Sequence, residues 1–122
     1  MRRFTNSFRY AASGVYYAIS SQRHMRIHLA ASLIVIILGL LLNLKRMEWA
    51  ILLLTMAGVI ASEMMNTAVE KTVDLVTSEY HPLAKAAKDV AAGAVLIAAL
   101  FAVIIGLLIL GPPLWRLCGL PS

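Results

Sequence analysis

Cysteine and acidic residues are scarce in this 122-residue sequence. Cys118 is the single cysteine, so no disulfide can form within the chain. Six residues are acidic and none of them precedes Glu48, whereas eleven are Lys or Arg, which gives a net charge of +5. Aromatic residues make up only 7% of the chain, and the sequence contains no recognised nucleic-acid-binding motif. The positive charge therefore does not indicate a nucleic-acid partner.

Long apolar runs, in contrast, fill most of the sequence, since 61% of its residues are hydrophobic. A helix needs about 20 residues to cross about 30 Å of hydrocarbon, and the shortest run, 29–44, is expected to borrow a turn from residues 25–28. We predict an all-α membrane protein with a single domain over residues 1–122. Its three spans are predicted at 29–44, 49 to about 68 and 90–110, within helices at 29–44, 47–76 and 84–110, and Gly111-Pro112-Pro113 is expected to end the third helix.

Residues 1–28 form a separate element with a different pattern. Apolar side chains recur there at steps of three or four residues, and polar ones fall between them. This spacing predicts an amphipathic helix that lies at the membrane surface with its apolar side toward the lipid. Gly14 lies in the middle of it and is expected to allow a bend.

Basic residues are distributed unevenly around the predicted spans. Eight of them precede the first span or follow the second, namely Arg2, Arg3, Arg9, Arg23, Arg26, Lys71, Lys85 and Lys88. Only Lys45, Arg46 and Arg116 fall on the other side. Because cytoplasmic loops carry the excess of Lys and Arg, the N-terminus and the 71–89 region are predicted to be cytoplasmic.

A polar stripe marks the end of the second span. Glu63, Asn66, Glu70 and Asp74 follow a nearly apolar run at steps of three, four and four residues. At about 100° per residue, all four lie within about 80° of one another on a helix. A carboxylate at membrane depth costs about 2.5–3.5 kcal/mol even on lenient scales, so such residues normally face a protein interior or cavity and serve a function.

A second polar cluster follows in the connection to the third span. It consists of Ser78, Glu79, Tyr80, His81, Pro82, Lys85, Lys88 and Asp89. Pro82 favours the start of a new helix, which places the two lysines in its first turns. Lysines there oppose the helix dipole, so their presence is best explained by an anionic ligand such as phosphate. His81 taken alone is more readily explained as an ordinary loop histidine, and its place beside the polar stripe and two lysines is what favours a role in the site.

These residue types suggest phosphoryl transfer at a membrane interface. Glu63 and Glu70 are about 10 Å apart along a helix axis, too far to hold one ion together easily. Glu63 could instead take a proton from a lipid hydroxyl, while Glu70 could hold a Mg²⁺ that bridges nucleotide phosphates. The sequence contains neither a GxxxxGK[ST] P-loop nor a protein-kinase signature. Two alternatives stay open: a non-catalytic membrane scaffold joined by its polar stripe, and a proton or ion pathway.

Several strings carry a resemblance to a known family. They are Glu63-Met-Met-Asn66-Thr-Ala-Val-Glu70, Val73-Asp74, Glu79-Tyr80-His81-Pro82-Leu83-Ala84 and Ala87-Lys88-Asp89-Val-Ala-Ala-Gly93. Over essentially its whole length the chain resembles the small integral-membrane bacterial diacylglycerol kinases. The resemblance implies a homotrimer in the bacterial plasma membrane, with active sites between subunits on the cytoplasmic side. The His-Pro-Leu-Ala-Lys wording is most similar to the Gram-positive branch, whose members often phosphorylate undecaprenol.

The resemblance also implies roles for particular residues. Glu63 would be the catalytic base, and Glu70 would bind Mg²⁺. The MgATP site would contain Asn66, Glu70, Glu79, Tyr80, His81, Lys88 and Asp89, joined by Arg3 and Tyr10 from the surface helix. The lipid alcohol would be undecaprenol or diacylglycerol, a choice that the apolar residues themselves do not reveal.

One position departs from the family pattern. Gln22 stands where the family usually has a glutamate that helps to bind the metal. An amide is a weaker Mg²⁺ ligand than a carboxylate, since it offers one carbonyl oxygen and no charge. Because the other motif positions are intact, activity is expected to be retained, with Gln22 as a weaker member of the metal site.

Overall fold

Four helices make up the part of the chain that this structure, a computed structural model, describes: residues 1–119 and 121, with Arg2 described by its backbone alone. They are α1 (Arg2–Ser21), α2 (Arg23–Leu41), α3 (Arg46–Val76) and α4 (Pro82–Leu117), and no strand occurs in these residues. By length and composition α2, α3 and α4 could each cross a membrane. The predicted all-α fold with three potential spans is therefore confirmed.

The boundary between α1 and α2 lies at Gln22, six residues before the predicted end of the surface helix. Gln22 has an extended backbone (φ −112°, ψ 119°), and its N–H donates to the Ala18 carbonyl at 3.0 Å, which closes the last turn of α1. The helix continues through Gly14 without interruption. Ala18 is buried, whereas the α1 residues from Arg3 to Tyr17 are exposed. Within one chain, α1 is thus held through its last turn.

The helices differ in length relative to a bilayer. At about 1.5 Å per residue, the 19 residues of α2 span about 28 Å, and α3 and α4 span about 46 Å and 54 Å. Since a hydrocarbon layer is about 30 Å thick, α2 is just short of its thickness and the other two helices are longer than it. α3 and α4 form an antiparallel hairpin joined by residues 77–81. The end of α3 and the start of α4 therefore project together.

Side chains define both ends of this hairpin. The Glu48 carboxylate accepts a hydrogen bond from the Lys45 backbone N–H at 2.8 Å, which satisfies a donor at the start of α3. His81 is the N-cap of α4, where its Nδ1 accepts from the Leu83 N–H at 3.1 Å, and Pro82 follows at the first helical position.

The prediction that Gly111-Pro112-Pro113 ends the third membrane helix is wrong, because α4 continues to Leu117. Proline lacks an N–H, so the two prolines leave the carbonyls of Leu108 and Ile109 without their helical donors. Regular bonding resumes afterwards, and the Cys118 N–H donates to the Leu114 carbonyl at 3.1 Å. The proline φ is itself helical, so two missing hydrogen bonds do not end the helix.

Close contact between α2 and the start of α3 depends on Gly39. A β-carbon at this buried position would lie 2.8 Å from Cη2 and 2.9 Å from Cζ2 of the Trp49 indole, and 3.1 Å from Cδ1 of Leu44. These distances are shorter than packed carbon atoms tolerate, so the indole occupies the space that the missing side chain leaves.

Gly39→Ala should therefore lower the stability of the bundle by about 1–3 kcal/mol, because the added methyl group displaces the Trp49 ring. The matched control is Gly58→Ala, where no atom lies within 4 Å of an added β-carbon. Thermal unfolding of the detergent-solubilised proteins, followed by circular dichroism, provides the comparison. Equal midpoints for Gly39→Ala and the parent protein would contradict this account of the contact.

Candidate active site

Two contacts between α2 and α3 define the centre of the site. Gln22, at the start of α2, meets Glu70, and His28, six residues further along α2, meets Glu63. The two helices are antiparallel, so the step of seven residues from Glu63 to Glu70 on α3 covers nearly the same length as the step of six residues from His28 back to Gln22 on α2. The two carboxylates are thus held at different depths, about 10 Å apart along α3.

The deeper carboxylate, Glu63, is buried, with 4% of the residue exposed. Its Oε1 lies 3.1 Å from Nε2 of His28, whose side chain is 23% exposed. Thr67, one turn further along α3 and also buried, donates its hydroxyl to the Glu63 backbone carbonyl at 2.9 Å. An unpartnered buried carboxylate would be costly, so the imidazole is an important neighbour. Sequence reasoning missed His28, because nothing in the local sequence of α2 indicates which histidine faces α3.

The shallower carboxylate, Glu70, lies between two amides. Asn66 Nδ2 donates to its Oε1 at 3.2 Å, and Gln22 Nε2 donates to its Oε2 at 3.5 Å. The structure thus brings together three predicted site residues. The Asn66 Oδ1 is buried and has no hydrogen-bond partner among the described residues. Such an acceptor is costly to leave unsatisfied and indicates that a further donor belongs here.

The remaining predicted residues gather where α3 ends and α4 begins. These predicted residues line an open cavity of about 300 Å³, and they are Glu79, Tyr80, His81, Lys88 and Asp89. Asp74 and Lys85 line the same cavity. Lys88 donates to Asp74, and Lys85 donates to Asp89. Each lysine is therefore paired with an acid. Exposed pairs of this kind are weak, about 0–1 kcal/mol, so phosphate oxygens can compete for the ammonium groups.

Arg3 and Tyr10 are not brought to this cluster within one chain. Both lie on the exposed part of α1, about 28 Å and 18 Å along the helix axis from Gln22. Tyr10 is 71% exposed. Their assignment to the nucleotide site stays a prediction that depends on a second copy of the chain.

An apolar groove of about 380 Å³ opens on the side of Glu63 that His28 occupies. It runs between α2, α3 and α4 from His28 to Leu114, near the opposite end of the bundle. Apart from His28, Ser32 and Thr55, its lining is apolar, and the Thr55 hydroxyl donates to its own helix at the Ile51 carbonyl. The groove is suited to a long hydrocarbon chain whose polar end lies near His28.

The donor set around Glu70 fits Mg²⁺ in one particular way. Within the residues that the structure describes, no three His, Cys, Asp or Glu side chains are grouped as they would be in a cation site built from protein alone. Mg²⁺, however, is commonly held by one or two carboxylates, with substrate phosphates and water completing its shell. One half-buried carboxylate beside two side-chain amides meets that requirement, provided that a nucleotide supplies the other oxygens.

Comparison with known proteins defines the class. The sequence profile described as "Prokaryotic diacylglycerol kinase" matches residues 9–110, which contain every predicted site residue except Arg3. The chain belongs to the prokaryotic diacylglycerol kinase family, and it is a lipid kinase of bacterial membranes, as its sequence predicts.

Individual relatives refine this assignment. The chain is 46% identical over 114 residues to the undecaprenol kinase of Bacillus subtilis, a match that covers 93% of each protein. It is 51% identical over 112 residues to the diacylglycerol kinase of Synechocystis, covering 91% of this chain and 64% of the relative's length. The diacylglycerol kinase of Escherichia coli K12 is 33% identical over 95 residues, or 78% of each protein.

Gln22→Glu should lower the Mg²⁺ concentration for half-maximal turnover about three- to tenfold, because it adds a second carboxylate beside Glu70. The measurement is a Mg²⁺ titration of phosphoryl transfer at fixed ATP. Ser21→Glu, which adds the same charge one residue earlier on the exposed end of α1, is the control and should leave the titration unchanged. An unaltered Mg²⁺ dependence in Gln22→Glu would remove this residue from the metal site.

Proposed function

We propose that this protein transfers the γ-phosphoryl group of ATP to the hydroxyl of undecaprenol, giving undecaprenyl phosphate and ADP. The observation that carries the proposal is the position of Glu63, a buried carboxylate between the apolar groove and the polar cluster at the α3–α4 turn. Along α3, Glu63 lies one turn past Val59, which lines the groove, and about 15 Å before Val73, which lines the polar cavity. The 46% identity to an undecaprenol kinase, over 93% of both proteins, favours a polyprenol as the lipid.

In the proposed mechanism Glu63 accepts the proton of the lipid hydroxyl. The oxygen then forms a bond to the γ-phosphorus, the bond from that phosphorus to the bridging oxygen breaks, and ADP leaves with the electron pair. Lys85 and Lys88 exchange their acidic partners for phosphate oxygens, and His81 and Tyr80 border the same cavity. Glu70 and Gln22 would hold Mg²⁺, which neutralises phosphate charge when it is bound.

Diacylglycerol is the second candidate lipid. The family description and the 51% identical Synechocystis relative both carry the name diacylglycerol kinase. The same base and the same polar cluster at the α3–α4 turn would serve either alcohol, since each lipid has a hydroxyl at the membrane surface and hydrocarbon chains in the bilayer. The two differ in the number and length of their chains, so a direct comparison of substrates distinguishes them.

The site is further proposed to be completed by other copies of the chain, in a homotrimer. Two features support this assembly: the exposure of α1 from Arg3 to Tyr17, and the unpartnered Asn66 Oδ1. The exposed Phe4 and Phe8 side chains suit a helix at the lipid surface, from which Arg3 and Tyr10 could reach the nucleotide bound by a neighbour.

Transfer of labelled phosphate from MgATP in mixed micelles tests the proposed reaction, with undecaprenol and diacylglycerol offered separately. Undecaprenol should be preferred, and Glu63→Gln should reduce turnover by about 10²–10⁴-fold, because an amide cannot accept the proton. Glu48→Gln is the matched control, since this glutamate lies at the opposite end of α3 and should be dispensable for turnover.

Each outcome of this assay has a distinct meaning. Preference for diacylglycerol would keep the mechanism and replace the substrate. Activity toward neither lipid by a folded protein, at ample Mg²⁺, would refute the kinase reaction and favour a non-catalytic membrane scaffold. A fully active Glu63→Gln would refute the role of Glu63 alone.

The proposed orientation places the α3–α4 turn in the cytoplasm and Cys118 on the outer side. Cys118 is exposed and is the only cysteine, so a membrane-impermeant maleimide should label it in intact spheroplasts. Ser78→Cys in a Cys118→Ser background is the control, because it should react only after permeabilisation. The reverse pattern would invert the topology.

A further inference from the structure

We propose that His28 is a positioning residue that holds the Glu63 carboxylate in place for proton transfer. The proposal rests on the function proposed above and adds to it a residue that neither the family motif nor the polar stripe of α3 contains. Its basis is the contact between Nε2 of His28 and Oε1 of Glu63, 3.1 Å apart, inside the helical bundle.

The other charged side chains lie further from this carboxylate. Within the described residues, His28 is the only charged or imidazole side chain in contact with Glu63. On α3 the nearest acid in sequence, Glu70, is about 10 Å away along the axis. α4 has no titratable side chain between Asp89 and Arg116, and α1 reaches the bundle only at its last turn, where Ala18 is buried. The orientation of the Glu63 side chain therefore depends on α2.

The position of His28 also fits the substrate. Its side chain is partly exposed because it forms the polar end of the apolar groove, whereas Glu63 is almost fully enclosed. A lipid chain lying in the groove would bring its hydroxyl to the side of Glu63 next to the imidazole. A neutral imidazole that donates Nε2–H to Oε1 leaves Oε2 to receive the hydroxyl proton. The imidazole keeps its own proton throughout, so Glu63 remains the acceptor of the proton that the lipid hydroxyl loses.

Kinetics of His28→Ala test the role. We expect kcat to fall about ten- to a hundredfold, the effect of losing one hydrogen bond to a charged group, with KM for MgATP changed less than about twofold. His28→Gln should restore most of kcat, since its amide places an N–H donor near the position of Nε2. His24→Ala, at an exposed position one turn earlier on α2, is the matched control and should behave as the parent enzyme.

A second measurement detects the contact without turnover. In ¹⁵N-histidine-labelled protein, Glu63→Gln should shift the ring-nitrogen resonances of His28 and leave those of His24 in place. His28→Ala identifies the resonance. An unshifted His28 signal would overturn the contact itself. Thermal unfolding of each variant separates a folding defect from a catalytic one, and His28→Gln tests the role even if His28→Ala unfolds.

The outcomes distinguish this inference from the proposed function. An active parent enzyme with full kcat in His28→Ala overturns the role of His28 and leaves the kinase reaction intact. Failure of His28→Gln to restore kcat, in a stably folded protein, also overturns it, because donation rather than volume is proposed. A parent enzyme without activity on either lipid overturns the proposed function and, with it, the catalytic part of this inference.

Discussion

A carboxylate held below the membrane surface is the constraint on which the rest of this structure depends. Glu63 is 4% exposed on a helix that is apolar from Trp49 to Ala61, and an ion in such surroundings is unfavourable unless a polar neighbour accompanies it. α2 supplies that neighbour as His28. The chain meets this requirement by ending α1 at Ser21 and starting a new helix at Arg23, which directs α2 along α3. The break at Gln22 and the deep contact at His28 are thus two parts of one arrangement.

The same arrangement separates two kinds of ligand by depth. From Glu70 toward the α3–α4 turn, charged and amide-bearing side chains gather, on helices that are longer than the hydrocarbon is thick. From His28 in the other direction, the groove is almost wholly apolar. Glu63 lies between these two regions along α3, and its proposed role as the base depends on that position.

Periodicity predicted more of this site than of its surroundings. The helical spacing of Glu63, Asn66 and Glu70 is a local property, and so is the hydropathy that marks the three spans. No glycine or proline near Gln22 predicts the helix break there. The break accompanies a contact between Gln22 and Glu70, 48 residues away, which local sequence does not reveal. His28 likewise acquires its importance from a residue 35 positions further along the chain. Pro112 and Pro113 led to the opposite error. They are a strong local signal for a helix end, yet α4 continues through them to Leu117.

The shortness of α2 has a consequence for the membrane that surrounds the protein. α3 and α4 are long enough to cross bilayers of different thickness, whereas α2 has only 19 residues and both of its ends are held against α3, at Gln22 by Glu70 and near Gly39 by Trp49. A thicker bilayer must either thin around α2 or submerge the Gln22–Glu70 contact. The length of α2 therefore limits the bilayer thickness that the bundle can cross without distortion, so hydrophobic mismatch should affect how far Glu63 lies from water.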